Sequence, residues 1–287
     1  MKIRDLLLYA SELLNNSAIS SYQLDAELLL LHVLKKDRNY LYKNLDASID
    51  ESTSITYTLL IEKRCEKMPI AYIRGFKEFW SRWFMVNPSV LIPRPETEMI
   101  IERTLAIAKE KKQDSLRILD IGTGSGNIAI TLAKELPNAD VTAIDISQDA
   151  LHVAQENSKL HQVSDKICFL KGNLFEPLLE LCSFDLIVSN PPYVPTPDIE
   201  IPELQYEPRQ ALDGSSDGLL YIKKIIGAAP KFLKKDGILI IEIGYNQIVA
   251  LQMYIENTQF SLHLFKDGNE VVRIIELRNK KYGKINH

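Results

Sequence analysis

The sequence predicts an α/β protein, a mostly parallel sheet with helices on both faces, preceded by a small helical domain and a connecting β-hairpin. Three observations carry this. From Leu116 onward, short apolar runs alternate with helical stretches, an order that requires crossover connections and therefore parallel strands. Before residue 74 only helical periodicity is found, and between the two regions lies an aromatic, β-branched stretch typical of a hairpin.

Taken in order, Ile3, Leu6, Leu7, Ala10, Leu13 and Leu14 share one helical face. Ser20 and Gln23 read as a capping box for a second helix with Leu24, Leu28, Leu31 and Leu34 inward. A third helix is expected from about Thr53 to Lys67, with Ile55, Leu59 and Cys65 towards the core and Pro69 ending it. Residues 1–73 thus form a helical domain without chemical groups in a pattern, suited to packing or to a partner or substrate platform. Residues 74–92 form the linking hairpin, with Phe76 to Trp80 and Trp83 to Val86 on either side of Ser81-Arg82. The second domain spans 93–287. It opens on Leu91 to Glu98, where two prolines extend the chain and Thr97 is positioned to cap a helix reaching about Lys111. Arg94, between those prolines, reads either as an anion clamp or as a salt bridge that fixes the loop.

Strands are then expected at Leu116–Asp120, Asp140–Ile144, Ile167–Leu170, Phe184–Ser189 and Ile238–Ile243. Helices alternate with them at Asn127–Glu135, Gln148–His161, about Asp217–Leu233 and Gln247–Glu256. Two last strands, near Phe260–Phe265 and Glu270–Leu277, flank Asp267-Gly268 and read as an antiparallel edge hairpin. Residues 191–216 hold six of the 13 prolines, so this stretch is expected to be a loop, either walling a substrate pocket, with Glu207-Pro208 and Gly214 to Gly218 shaping its exit, or disordered.

Composition narrows the function classes. With 34 Lys and Arg against 38 Asp and Glu, the formal net charge of −4 gives no global basic field for nucleic acid, although a local patch stays open. Lys109, Lys111 and Lys112, and Lys280, Lys281 and Lys284, read as solvated surface. Cys65, Cys168 and Cys182 are far apart and lack CxxC spacing, so they read as small buried side chains in a reducing compartment. The five histidines pair with no cysteine or carboxylate cluster, so no metal is expected. No stretch is long and apolar enough for a membrane span, and a cytosolic location is the expectation.

Two stretches carry chemistry. Asn190-Pro191-Pro192-Tyr193 follows the strand Phe184–Ser189, at the strand end where α/β sheets bind ligands. The Asn190 side-chain carbonyl and the Pro191 backbone carbonyl can together accept both hydrogens of one planar NH2 group, and Tyr193 adds a flat face. The same four residues could instead form a polyproline-like turn. Between the first strand and its helix, Gly122-Thr123-Gly124-Ser125-Gly126 allows a tight turn and close approach to bare main chain at a helix N-terminus. Asp145 ends the second strand about 20 residues on, where an acid holds ribose hydroxyls, so the pair implies a nucleoside-containing cofactor.

Leu119 to Gly126, Asp145 and Asn190 to Tyr193 together resemble a class I (Rossmann-like) S-adenosylmethionine-dependent methyltransferase acting on a planar amine or amide. With Leu91 to Glu98, Glu78-Phe79-Trp80 and the N-terminal helices, the whole chain resembles the HemK/PrmC family of release factor glutamine methyltransferases. The resemblance implies a seven-stranded sheet with a terminal antiparallel pair. It implies that Gly122, Thr123, Gly124, Ser125, Gly126 and Asp145 hold the methionine part and ribose of S-adenosyl-L-methionine, with Asn173 and Leu174 bordering the adenine. Asn190 then lies between cofactor and substrate, and Pro191, Pro192 and Tyr193 grip the glutamine of a release factor's Gly-Gly-Gln loop. Many class I enzymes carry Asp where this chain has Asn173, which leaves that contact to an amide oxygen or another group. An adenine methyltransferase acting on DNA or RNA is the alternative, because an exocyclic amine offers the same two hydrogens. The acidic balance and the absence of a basic, aromatic-rich module weigh against stable nucleic-acid binding. A non-enzymatic cofactor-binding regulator is a third reading, weakened by the intact tetrapeptide.

Overall fold

The computed structural model describes residues 1–111, 115–179 and 182–280, so Lys112, Lys281 and Lys284 of the two basic clusters lie outside the described residues. The chain divides into two units, Met1–Phe76 with Pro202–Tyr206, and Lys77–Ile201 with Glu207 onward.

In the first unit, α1 (Ile3–Asn16), α2 (Tyr22–Leu34), α3 (Arg38–Lys43), α4 (Glu51–Cys65) and α5 (Ile70–Arg74) enclose one apolar core. Each large side chain buried there contributes roughly 1.5–3 kcal/mol. α1 buries Ile3, Leu6, Ala10 and Leu14, the face its periodicity marks. α2 turns a different face inward from the one expected: Asp25, Ala26, Leu29 and Leu30 are buried and Leu24 is exposed. Leucines at 28 to 31 put apolar groups on every side of this helix, so spacing cannot choose among them. The choice follows Asp25, whose carboxylate receives Arg64 Nε at 2.8 Å inside the core. The capping box does not form; the Ser21 hydroxyl donates to Asp25 instead. α4 starts two residues early because Asp50 caps it, accepting from Thr53 N at 2.9 Å. It buries Tyr57, Ile61 and Arg64 and packs Cys65 on the core as expected, but leaves Ile55 and Leu59, expected inward, exposed. Pro69 opens α5 rather than ending α4.

In the hairpin, β1 (Phe76–Phe79) and β2 (Arg82–Met85) pair across a two-residue turn, Trp80-Ser81, with both residues at positive φ (51° and 55°). Such a turn matches the twist of the strands it joins, even without glycine. After it come α6 (Glu98–Lys111), β3 (Arg117–Ile121), α7 (Asn127–Glu135), β4 (Asp140–Asp145), α8 (Gln148–Leu160), β5 (Ile167–Lys171) and β6 (Phe184–Ser189). The chain finishes with α9 (Arg209–Leu212), α10 (Leu220–Ala228), β7 (Leu233–Glu242), α11 (Ile248–Glu256), β8 (Phe260–Lys266) and β9 (Val272–Asn279). Leu233, expected at a helix end, starts a strand, paired with Phe184 of β6. The proline-rich stretch forms short turns of 3₁₀ helix at Thr196–Glu200 and Pro202–Tyr206, followed by α9.

The strands form one seven-stranded sheet in the order β5-β4-β3-β6-β7-β9-β8, parallel except for the last two pairings, in which β9 runs antiparallel to β7 and β8. Its central strands are buried on both faces. Ile118, Leu186, Val188, Ile238 and Ile240 meet α6 and α7 on one side, while Leu119, Ile121, Ile187, Leu239 and Ile241 meet α10 and α11 on the other. This explains why these strands read as unbroken apolar runs. The cysteines depart from expectation, since Cys65 and Cys182 are half-buried and Cys168 is exposed. Cys168 lies on β5, an edge strand with one open face.

Candidate active site

The order of strands reverses at β3, whose neighbours β4 and β6 lie on opposite sides, so a crevice opens beyond the carboxyl ends of β3 and β6. Register sets what meets there. Ile121 pairs with Ser189, so Gly122 and Asn190 leave adjacent strands side by side, and the Ser189 hydroxyl donates to the Ile121 carbonyl at 2.7 Å. Asp145 pairs with Lys171 one strand further out, which brings Gly172 beside the same opening. A single cavity is lined by Gly122 to Ser125, Asp145, Asn173, Leu174, Asn190, Pro191 and Pro192. Of the residues read from sequence, Gly126 and Tyr193 are not part of its lining.

The glycine wall is made of backbone. Gly122, Gly124 and Gly126 all take positive φ (75°, 55° and 80°), so the loop curls without side chains in the way. A Cβ at Gly122 or Gly124 would meet nothing within 4 Å, whereas one at Gly126 would press on Ile130 Cδ1 at 2.8 Å and Ala154 Cβ at 3.1 Å. The first two glycines therefore face open cavity and the third permits close packing of α7 on α8. Asp145 Oδ2 accepts from Gly124 N at 2.8 Å and Oδ1 from Ser147 N at 2.9 Å. Two accepted bonds leave lone pairs on a carboxylate for a sugar diol. Burial pushes the Asp145 carboxyl above its usual value. Asp120, fully buried below the loop, accepts from Thr123 Oγ1 at 2.7 Å and is pushed up to about 7 by burial. Asn157 is the loop's other support: its Nδ2 donates to Ser125 O at 2.8 Å and to Met85 O at 3.0 Å, and its Oδ1 accepts from Met85 N at 2.7 Å. The hairpin and the glycine loop thus share one side chain. Asn173 Nδ2 donates to Glu176 Oε1 at 3.0 Å, which turns its amide nitrogen outward to a neighbour on its own loop.

The opposite wall is made of side chains from distant segments. Asn190 Nδ2 donates to Thr97 Oγ1 at 2.9 Å, and Thr97 Oγ1 donates to Glu242 Oε2 at 2.7 Å. Thr97, expected as a helix cap, is instead a buried link between β6 and β7. Tyr193 also departs from expectation: its half-buried ring packs on the core beneath the sheet, and its hydroxyl donates to Glu242 Oε1 at 3.0 Å. Desolvation and the neighbouring carboxylate hold the Tyr193 phenol well above its ordinary value. Gln247 secures the same turn, donating from Nε2 to Tyr193 O at 2.8 Å and to Gly218 O at 3.1 Å. Arg94 is settled as a loop-fixing salt bridge. Its guanidinium pairs with Glu207, whose other oxygen accepts from Ile92 N at 3.0 Å, and Pro208 and Gln210 beyond it line the cavity. Sequence reasoning missed Glu242 and Gln247, while Glu207-Pro208, expected at the pocket's exit, stands beside the cavity. Only Glu242 left a trace, an acid at the end of the apolar run Ile238 to Ile241, where a charge is out of place unless partnered.

Among the described residues no group of three or more His, Cys, Asp or Glu is set to hold a metal ion, and no helix is long and apolar enough to cross a membrane.

A family model described as a methyltransferase domain matches residues 112–283, and one described as the PrmC N-terminal domain matches residues 5–75. A release factor glutamine methyltransferase of Geobacter sulfurreducens is 39% identical, over 95% of both chains. A bifunctional methyltransferase of Rickettsia felis is 40% identical over 95% of this chain, which spans 57% of that longer relative. Among solved structures, a methyltransferase from Pyrococcus furiosus aligns with a TM-score of 0.51 at 20% identity, covering 69% of this chain and 89% of that one. At that identity the likeness speaks for the fold alone.

Proposed function

This chain belongs to the release factor glutamine methyltransferase family, and from that premise we propose that it methylates the side-chain amide nitrogen of the glutamine in a release factor's Gly-Gly-Gln loop, with S-adenosyl-L-methionine as methyl donor. The observation that carries the proposal is the Asn190 amide, tethered through its nitrogen to Thr97 on a wall that faces the glycine loop and Asp145 across one cavity. With Nδ2 held by Thr97, Oδ1 is the end of the amide left to accept from a substrate.

The residues present fit the donor. Open space over Gly122 and Gly124 suits a ligand lying against bare main chain, and the Asp145 carboxylate retains acceptor sites for ribose hydroxyls. Asn173 and Leu174 border the place for the adenine. When bound, the cofactor supplies a sulfonium-activated methyl group.

The chain's own residues do the rest. A primary amide nitrogen is a poor nucleophile because its lone pair is shared with the carbonyl. Asn190 Oδ1 and the Pro191 carbonyl would accept its two hydrogens and orient the nitrogen towards the glycine-loop side of the cavity. They would also stabilise the positive charge it would gain as the donor's S–CH3 bond breaks to leave a neutral thioether. The Asn190 to Tyr193 turn contains no acid or base, so the released proton passes to solvent. Pro192 stiffens the turn, and Tyr193 anchors its far end through Glu242 rather than offering its face to the substrate. Residues 1–73 are read as the platform for the rest of the release factor, and a cytosolic location accompanies a substrate drawn from translation.

The test is to incubate the protein with methyl-labelled S-adenosylmethionine and an unmodified release factor, beside the same factor carrying Gln→Ala in its Gly-Gly-Gln loop, and to locate label by mass spectrometry. Label on that glutamine alone is the expected result. Label on adenine in nucleic acid, with none on the factor, transfers the same cradle to a different substrate and overturns the proposal.

A further inference from the structure

We propose that Thr97 and Glu242 are positioning residues that decide which end of the Asn190 amide faces the cavity. The inference rests on the functional reading above and adds the source of the motif's orientation.

An asparagine amide is nearly symmetric in shape but opposite in hydrogen-bonding sense at its two ends. The substrate NH2 needs the carbonyl end. Turned over, Asn190 would present two donors to two donors, and the cradle would repel what it should hold. Nothing within Asn190-Pro191-Pro192-Tyr193 makes that choice, so it must come from a neighbour.

The neighbour is Thr97, and its own direction is set by Glu242. A hydroxyl has one proton to give. The Thr97 proton goes to Glu242 Oε2 at 2.7 Å, and an ionised carboxylate accepts only. Towards Asn190, Thr97 therefore offers only a lone pair, which attracts the NH2 end at 2.9 Å and leaves Oδ1 for the substrate. The second oxygen of the same carboxylate receives the Tyr193 hydroxyl at 3.0 Å. One buried side chain, 1% exposed, thus holds the first and last residues of the tetrapeptide. The three segments meet by topology: Thr97 precedes α6, Asn190 follows β6, and Glu242 ends the adjacent β7.

The chain of donors can be reversed. A protonated Glu242 can donate to Thr97, which frees the threonine proton for Asn190 Oδ1 and turns the NH2 end to the cavity. The carboxyl is placed for such a change, since burial pushes it up to about 7. The groups that bear on it are the Thr97 and Tyr193 hydroxyls, the Glu96 carboxylate, which favours the protonated form, and the Arg273 guanidinium, which favours the ionised form.

The experiment uses the full-length protein and an unmodified release factor, with kcat, KM, cofactor affinity by calorimetry and melting temperature measured for each variant. Thr97→Val, which keeps shape and deletes the hydroxyl, is expected to lower kcat by about a hundredfold, the scale for a misdirected reacting group, with cofactor affinity held. Thr97→Ser, which restores the hydroxyl, is expected to recover most of that loss. In the wild type kcat should fall as pH is lowered through about 7. Glu242→Gln, which does not titrate, should lose that limb. Wild-type kcat in Thr97→Val, or a Glu242→Gln pH profile that superimposes on the wild type, overturns the proposal. If Thr97→Val does not fold, the serine variant and the two pH profiles decide. A wild type that binds cofactor but labels no release factor defeats the functional reading instead, and the same variants then test the relay on whichever amine accepts the methyl.

Discussion

On the glycine side of the cavity the groups that shape the loop come from one βαβ unit: Gly124 and Asp145 are 21 residues apart, Asp120 and Thr123 only three. The long tie on this side is Asn157, which joins Ser125 to Met85. On the Asn190 side the bonds span 93 residues from Asn190 to Thr97, 145 from Thr97 to Glu242, and 115 from Ile92 to Glu207. The first wall is backbone shaped by glycine conformations and travels with a short piece of chain. The second is side chains converging from separate segments, so it exists only once the whole sheet is assembled. Damage to the first should therefore register as lost cofactor affinity, and damage to the second as lost turnover.

The sharpest break between the walls is Asn190→Ala. It should lower kcat roughly a hundred- to thousandfold, as loss of a transition-state contact does, while calorimetry finds cofactor affinity within about twofold of wild type. A matching loss of cofactor affinity would mean that the two walls are not separable. Turnover within a few-fold of wild type would remove Asn190 from the chemistry altogether.

Two glycines offer a matched pair for stability. Gly126, at φ 80°, would place a Cβ against Ile130 and Ala154, and Gly218, at φ 71°, would place one against the Tyr193 carbonyl and Gln247 Nε2. Substitution by Ala should cost about 1–3 kcal/mol in each, combining overpacking with a left-handed backbone. Denaturant melts test this, and ligand assays sharpen it. Gly126→Ala should weaken cofactor binding, whereas Gly218→Ala should raise KM for the protein substrate.

Each wall also hides one acid, Asp120 below the glycines and Glu242 below Asn190, both raised to about 7 by burial. An acid whose folded value exceeds its unfolded one binds more protons when folded, so stability must fall as pH rises from the unfolded value to the folded one, then level off. The unfolding free energy from denaturant melts should accordingly decline between about pH 4 and 7 and stay flat above, by about 3–4 kcal/mol for each group at roughly 1.4 kcal/mol per pKa unit. Asp120→Asn and Glu242→Gln should each remove part of that slope. A flat wild-type curve would mean that neither group is as desolvated as the fold implies.

The smallest effect belongs to the rim. Arg94 is one-third exposed, and Glu207 keeps its bond from Ile92 N when the guanidinium is removed. Arg94→Ala should read as a few-fold rise in KM with cofactor affinity unchanged. A larger loss of kcat would make the Arg94–Glu207 pair part of the Asn190 wall rather than its border.

Legibility follows the same division. The sequence by itself determined the alternation of strands and helices, the parallel sheet with its antiparallel end, the glycine turn with Asp145, and the placement of Asn190 at a strand end. All of these rest on local rules: apolar runs, fixed spacings, and the backbone freedom of glycine. Tertiary structure alone decided which face of α2 and α4 turns inward, because apolar residues surround α2 and a buried Asp25–Arg64 pair outranks periodicity. It alone moved Thr97 from a cap to a link, sent the Tyr193 ring into the core, and put Glu242 behind both. Spacing along a chain encodes which groups a turn can bring together. It does not encode which distant carboxylate will close beneath them, because that depends on the register of strands far apart in sequence.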